Sequence, residues 1–272
     1  MSDVYSYTEG IIPLLVSVPH DGRRLPSTLQ ARMTAEGIAI PDTDWHVARL
    51  YDFVRELGAH LLVAKYSRYV VDLNRPASDE SLYPGQLATG LCPQQTFAGE
   101  DIYVSGGVSE DEIADRVATY WQPYHRQIRT VLDGLRARHG HAVIWDAHSI
   151  ASEVPRLFEG ELRVLNLGTH GGRSCAPAME SAVFKLAADS HYSAVLNGRF
   201  QGGFITRHYG DAANRIHAVQ LEIAQRAYMD EMSGIYDTQK ASRLRGTLRT
   251  LLETCVEIAG TVSYTHLTLP TS

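Results

Sequence analysis

Short apolar runs alternate with helical apolar stripes along this chain, and several of the runs break off abruptly at polar residues. Ile11 to Val18 (IIPLLVSV) reads as a first strand stopped by Pro19, which cannot donate to a ladder, so that His20 stands at its polar end. Ala142 to Trp145 is apolar enough for a buried strand of a parallel sheet, and polarity then arrives with Asp146, His148 and Ser149. Side chains alternate faces along a strand, which puts Asp146 and His148 together. Ile216 to Ile223 (IHAVQLEI) repeats the pattern, with Ala218, Gln220 and Glu222 on one face. Further strands are predicted at His60 to Tyr66, Tyr69 to Leu73, Leu162 to Leu167 and Tyr192 to Leu196.

Helical spacing fills the intervals. Ser27 to Glu36 reads as a short helix ended by Gly37, and Val47, Leu50, Tyr51, Val54 and Leu57 form a stripe ended by Gly58. Ser109-Glu110-Asp111-Glu112 is a capping box opening a long helix to about Arg138, with a kink expected at Pro123. Another helix opens near Pro177, and a last one runs from about Thr238 to near Ile258. Strands and helices in this order predict an α/β protein, read as one catalytic domain over residues 1–260. The ending SYTHLTLPTS breaks the helical pattern, so residues 261–272 are set apart as a non-native or disordered tail.

Composition narrows the class. The 272 residues are 44% hydrophobic, enough for one sizeable core. Lys and Arg number 25 against 31 Asp and Glu, a formal charge of -6, which argues against a general nucleic-acid binder. There is no apolar run of membrane length and no basic-then-apolar leader at Met1. Cys92, Cys175 and Cys255 show no zinc-finger spacing, and a reduced, cytoplasmic setting is expected.

The polar strand ends carry the candidate chemistry. They supply His20, Asp72, Asn74, Arg75, Asp146, His148 and Glu222. Asp42, Thr43 and Asp44 open a helix, where one carboxylate suffices for capping and the other is open to a further role. Glu222 between Leu221 and Ile223 is costly unless partnered or protonated, which makes it a candidate general base. The glycine-rich NGRFQGGFITRHYG segment reads as a loop carrying Arg199, Arg207, His208 and Tyr209, a set suited to an anionic ligand. The stretch from Leu82 to Gly107 is loop-like and long enough to be a lid or substrate wall. Gly168-Thr169-His170-Gly171-Gly172 reads as a plain turn, with neither a Walker lysine nor a G-x-G-x-x-G nearby. Two histidines and one carboxylate leaving a fourth position open is what a catalytic zinc needs, and together these features favour a metallohydrolase.

The segments VSVPHDG, DTDWHVARLYDF, SRYVVDLNRP, LYPG, TFAGEDIY, YWQPYH, DAHSI, GRFQGGFITRHYG and HAVQLEI resemble the N-formylglutamate amidohydrolase family from about Leu14 to Met232. The resemblance implies a three-layer α/β fold with a central mixed, largely parallel sheet flanked by helices, similar to the zinc carboxypeptidases and aspartoacylases. It implies hydrolysis of N-formyl-L-glutamate to formate and L-glutamate, the last step of one histidine-degradation route, in the cytoplasm. It implies Zn2+ or another divalent metal on His20, Asp44 and His148, with Asp42 and His46 as rivals for the acidic position. By the same resemblance Asp72 steadies His20, Asp146 stands behind His148, Glu222 is the base, and Asn74 with Arg75 grips a substrate carboxylate. Arg207 is the second carboxylate reader, with Arg68, Arg199 and Tyr209 in reserve. The carboxypeptidase first pair is H-x-x-E, whereas DGRR follows His20 here, so the acidic ligand must come from downstream. The expected partner is a small acidic molecule, with no nucleic acid or membrane, and oligomeric state is left open. A deacylase or carboxypeptidase acting on another N-acyl amino acid would share these residues and differ in the Leu82–Gly107 loop. A non-catalytic binding protein for an acidic ligand would have lost a His or the Glu, and this sequence loses neither.

Overall fold

The structure, a computed structural model, describes residues 3–82, Gly85 and 89–261; part of the LYPG segment and nearly all of the 261–272 tail lie outside the described residues. Seven strands form one sheet: β1 (Tyr5–Thr8), β2 (Leu14–Val18), β3 (His60–Ala64), β4 (Ala142–Ile150), β5 (Leu165–Gly168), β6 (Ala194–Leu196) and β7 (Ile216–Ala224). Their order across the sheet is β1-β3-β2-β4-β7-β5-β6. The centre, β3-β2-β4-β7, is parallel, while β1 and the β5-β6 pair join it antiparallel. A two-stranded ribbon, β8 (Met229–Asp230) and β9 (Ile235–Tyr236), lies apart.

The helices are α1 (Ser27–Gln30), α2 (Ala35–Ala39), α3 (Val47–Leu50), α4 (Glu110–Arg116), α5 (Gln122–His139), α6 (Pro177–Ala188), α7 (Phe204–Tyr209) and α8 (Thr238–Thr261). Helices cover both faces, giving the expected three-layer mixed α/β sheet. On one face α6 and α8 bury Met179, Val183, Leu244, Leu248 and Leu251 against Val16, Trp145 and Val219. On the other, α5 and α7 bury Ile128, Leu132, Leu135 and Ile205 against Leu15, Ala142, Ile144 and Ala218. Alternation explains both sets. Ala142 and Ile144 face α5, and two residues further on the same face of β4 carries Asp146 and His148. The sheet surface that starts as core therefore ends as a polar site at the carboxyl ends of the parallel strands.

Local expectations failed where backbone conformation competes with periodicity. Tyr69 to Leu73 is buried but is no strand; it runs through a turn closed by Val70 N to Ser67 O (2.9 Å), and Asp72 N donates to Leu91 O at 2.7 Å. Side chains take the place of a ladder here, as Arg116 donates to the Val70 carbonyl at 3.0 Å. The stripe after Asp44 makes one α turn, α3, and then a 3-10 turn at Asp52–Arg55. The predicted 27–36 helix is split into α1 and α2, with Thr34 capping α2 through Gly37 N. Gly37 lies inside α2 because a Cβ there would meet the Ile102 carbonyl oxygen at 2.4 Å. Strands β2, β3, β5 and β6 are shorter than predicted, and Pro13 stands just before β2. Ser109 caps α4 as expected, accepting from Glu112 N. Where a kink is expected at Pro123, the structure has a π turn over Val117–Trp121 just before it, which places Pro123 in the first turn of α5, where a missing donor and the ring are tolerated.

Candidate active site

Strand ends bring the polar residues together. His20 follows the end of β2, His148 lies near the end of β4, and Glu222 pairs with His148 across the β4–β7 register, as Gln220 does with Asp146. Asp44 is delivered by the turn before α3, whose N–H donates to the His20 carbonyl at 3.1 Å. That turn is capped from outside: Asp21 accepts from His46 N (3.2 Å) and Ala48 N (3.0 Å). Adjacent residues thus do two jobs, His20 facing the site while Asp21 holds the turn that carries Asp44.

The two imidazoles stand with ring centroids 4.9 Å apart. His20 Nε2 is 2.8 Å from Asp72 Oδ1, which fixes that edge of the ring and leaves Nδ1 buried without a partner, 3.8 Å from Asp44 Oδ2. His148 presents Nδ1 to Asp44 Oδ2 at 3.0 Å and Nε2 to Asp146 Oδ2 at 2.9 Å. Ligand atoms from His20, Asp44 and His148 lie within 4.8 Å of one another, and among the described residues this is the group of three that could hold a metal ion. Each histidine is backed by a carboxylate on its far nitrogen, the arrangement that orients metal-bound imidazoles. The unpartnered His20 Nδ1 and this donor set fit a divalent cation.

Electrostatics polarise the cluster. Burial lowers the His20 pKa, and the Arg68 guanidinium lowers it further against the pull of Asp72, so His20 is held neutral with a lone pair to offer. Burial also opposes charge on His148, but Asp146 and Asp44 outweigh it and hold its pKa well above the usual range. Asp72 is buried too, and His20 and Arg68 nevertheless keep it ionised, well below the carboxylate range. Glu222 differs: burial pushes its carboxyl up to about 8, with His148 pulling against the shift and Asp44 adding to it. A carboxyl poised near neutrality in a cleft is suited to moving a proton.

The pocket around these groups is lined by His20, Asp44, His148 and Glu222, and also by Arg68, Asn74, Arg75, Arg199 and Gln220. A model of the N-formylglutamate amidohydrolase family matches residues 12–229. The chain belongs to this family. It is 50% identical over 256 residues to an N-formylglutamate deformylase of Pseudomonas aeruginosa, spanning 93% of this chain and 96% of that protein. It is 49% identical over 233 residues to the N-formylglutamate deformylase of Pseudomonas putida, spanning 85% and 87% of the two. A crystal structure of an N-formylglutamate amidohydrolase from Ralstonia eutropha JMP134 matches with a TM-score of 0.76 at 25% identity, over 94% of this chain and 97% of that one.

Within this family framework the structure sorts the candidates. Of the three rivals for the acidic position, Asp44 alone reaches the histidines. Asp42 accepts from Tyr69 Oη (2.6 Å) and Phe97 N (2.8 Å), and His46 turns away to the Gly234 carbonyl at 2.9 Å. Arg75 and Arg199 line the pocket, tied by Nε to the Thr89 and Leu157 carbonyls at 2.9 Å each. Arg68 lines it as well, with its guanidinium on Asp72 at 2.6 Å. Arg207 does not line it; its Nε donates to Gly202 O at 2.8 Å and one terminal nitrogen to Leu82 O at 3.0 Å. Tyr209 does not either, because α7 turns it into the core, where its hydroxyl meets His125 Nδ1 at 2.9 Å. Residues 204–209 of the glycine-rich segment form the short helix α7 rather than the expected loop, and the helix directs these two residues away from the cleft.

Asn74 is the hub of the site. Its Nδ2 donates to Asp146 Oδ2 at 3.0 Å and its Oδ1 accepts from Ile205 N at 2.8 Å. Gly203 is required by close approach, since a Cβ there would meet the Asn74 side chain at 2.4 Å. Gln220 joins through Gly203 N at 2.7 Å. Sequence reasoning placed Gln220 on the Glu222 face but gave it no role, and that shared face was the available signal. Phe97, Ser149, Ile150, Leu157 and Phe200 also line the pocket. Ser149 and Ile150 end β4 beside His148, whereas Phe97, Leu157 and Phe200 arrive from separate loops and nothing local in the sequence marks them.

Proposed function

We propose that this protein is a metal-dependent amidohydrolase that cleaves N-formyl-L-glutamate to formate and L-glutamate. The observation that carries the reading is the convergence of His20 Nδ1, His148 Nδ1 and the Asp44 carboxylate beside a protonatable Glu222. It agrees with the activity named for the two Pseudomonas relatives. His20, Asp44 and His148 would hold the cation, Zn2+ being the ion that such a set suits. When bound, the ion supplies Lewis acidity toward water and the formyl carbonyl.

The chain's own residues do the rest. Glu222 accepts a proton from the attacking water and returns it to the glutamate nitrogen as the formyl C–N bond breaks, leaving formate and a free amine. Arg75 and Arg199 face the substrate carboxylates, each guanidinium oriented by its bond to a backbone carbonyl. Asn74 fixes Asp146, and Asp146 fixes the His148 ring. Formate release from N-formyl-L-glutamate, assayed with metal-loaded and chelator-stripped protein, tests the proposal. Release that survives complete stripping would remove the metal, and no release from loaded protein would remove the substrate.

A further inference from the structure

The pocket that holds the cluster is small, about 70 Å3, and a chamber of about 510 Å3 lies directly beside it. The two share the walls Phe97, Ser149 and Ile150. Ser149 and Ile150 follow His148 in the chain, and the chamber residues Asp42 and Thr43 precede Asp44, so the chamber begins within two residues of two candidate ligands. Its other walls are largely apolar: Pro41, Ala98, Ala151, Val154 and Pro155.

Charge decides which end of a substrate could face it. Arg75 and Arg199 stand in the small pocket, bonded to Thr89 and Leu157, neither of which lines the chamber. The chamber carries the acidic residues Asp42 and Glu153, and its lining cation, Arg156, donates to the Thr96 carbonyl (3.1 Å) and Gln95 Oε1 (2.7 Å). The chamber thus pairs two acidic residues with an arginine already bonded to Thr96 and Gln95, which suits it to an apolar acyl chain rather than to a substrate carboxylate.

Phe97 is fixed in place. It sits on a tight turn closed by Gly99 N to Thr96 O at 2.9 Å, with Gly99 at φ +97°, a conformation suited to glycine. Its N–H is held by Asp42 at 2.8 Å, and the Arg68 guanidinium lies 4.8 Å from its ring centroid.

We propose that Phe97 is a specificity-determining partition that restricts the acyl group to formyl, and that the chamber beside it is a subsite for an aliphatic acyl chain that Phe97 separates from the cluster. This rests on the amidohydrolase reading above. The reaction stays the same: water adds to the acyl carbon, the C–N bond breaks, and the nitrogen takes the proton.

The test is kcat/KM of the metal-loaded enzyme on N-formyl-, N-acetyl- and N-butyryl-L-glutamate, for wild type, Phe97→Leu, Phe97→Ala and the double variant Phe97→Ala with Ala151→Phe. Phe97→Ala should raise the acetyl-to-formyl and butyryl-to-formyl ratios at least about tenfold, the scale of discrimination set by small apolar volume changes. Phe97→Leu should fall between, and refilling the chamber with Ala151→Phe should remove the butyryl gain. A ratio keeps its meaning if overall activity drops, and Phe97→Leu carries the test if Phe97→Ala does not fold. Unchanged ratios in a variant that still releases formate would overturn the partition while sparing the function. A butyryl gain that survives refilling would overturn the chamber as its site. Wild type that releases no formate at all would instead overturn the amidohydrolase reading.

Discussion

His125 Nε2 lies 2.9 Å from the carbonyl oxygen of Leu73, the residue just before the hub of the site, Asn74. The next two carbonyls are held as firmly: Phe204 N donates to Asn74 O at 3.2 Å and Trp121 Nε1 to Arg75 O at 2.9 Å. Three consecutive carbonyls with no strand partner are thus held by α5, its preceding π turn and the start of α7. Trp121 stacks on His125 with centroids 3.8 Å apart, and the Tyr209 hydroxyl meets the ring's Nδ1 at 2.9 Å. The residue expected to touch substrate, Tyr209, instead supports the one that positions Asn74.

Replacing His125 by Phe keeps the stack and removes the donor. It is expected to cost about 1–3 kcal/mol of stability, the penalty for a buried carbonyl left without a partner. Because Asn74 would then be held less firmly, kcat should fall more than KM rises. Urea unfolding with steady-state kinetics measures both. Wild-type values for both would show that the Leu73 carbonyl does not depend on this ring.

The same residue sets a pH dependence of stability. Burial pushes the His125 pKa down to about 3, opposed by the Leu73 carbonyl and aided by His208 and Arg129. An unfolded chain titrates it near 6.5, so between those values the unfolded state binds a proton that the folded state refuses. The stabilising contribution is complete above about pH 6.5 and declines as pH falls toward 3, by about 1.4 kcal/mol per pH unit for one group. His217, pushed down to about 4 by burial, adds a slope of the same sign. In His125→Gln the fall in unfolding free energy across this window should be shallower; an unaltered slope would assign the effect to other groups.

His20→Ala, His148→Ala and Asp44→Asn should each abolish or sharply reduce bound metal, because a three-ligand site loses a third of its donors. Asp72→Asn and Asp146→Asn keep the ligands but lose their orientation, and should weaken metal affinity by roughly 10–100-fold. Asp42→Asn should change neither, since Asp42 bonds Tyr69 and Phe97. Elemental analysis and competition with a chelator read all six. Wild-type metal affinity in Asp44→Asn would displace the assigned ligand.

The parts of the site written on one element were legible in the sequence. Strand alternation alone placed Asp146 with His148 and Gln220 with Glu222, and the break at Pro19 put His20 at a strand end. The parts that depend on how separate segments meet were not. Asp21 caps a turn 25 residues away, which no local pattern announces. Tyr69 to Leu73 reads as a strand because apolar and β-branched residues such as Val70 and Val71 mark a buried segment of either kind, and the carbonyls from Leu73 to Arg75 are held instead by α5, the π turn before it and α7. Arg207 and Tyr209 were misplaced by one choice, loop against helix, since that choice sets the direction of every side chain in the segment.

Glu222→Gln should retain metal and substrate binding while lowering kcat by roughly 10²–10⁴-fold, the usual share of a general base. The amide fills the same space in the pocket and cannot accept a proton. Turnover within a few-fold of wild type would place the base elsewhere.

Substrate charge is the sharpest remaining point, because Arg199 and not Arg207 joins Arg75 in lining the pocket. Arg75 and Arg199 line the pocket from separate segments, whereas Arg207 is directed at the Gly202 and Leu82 carbonyls. Arg75→Ala and Arg199→Ala are each expected to weaken substrate binding by about 2–5 kcal/mol, the range for truncating one partner of a buried charge pair. Arg207→Ala should act less, through the backbone it holds. Arg75→Lys should restore only part of the loss, since an ammonium cannot reproduce a planar two-pronged contact. None of the four should change metal content. Kinetics on N-formylglutamate beside N-formylglutamine, which lacks one carboxylate, separates the roles: the arginine reading the side-chain carboxylate is the one whose loss removes most of the preference. If Arg207→Ala removes that preference while Arg199→Ala leaves it intact, the side chain must swing into the cleft on binding, and the assignment to Arg199 fails.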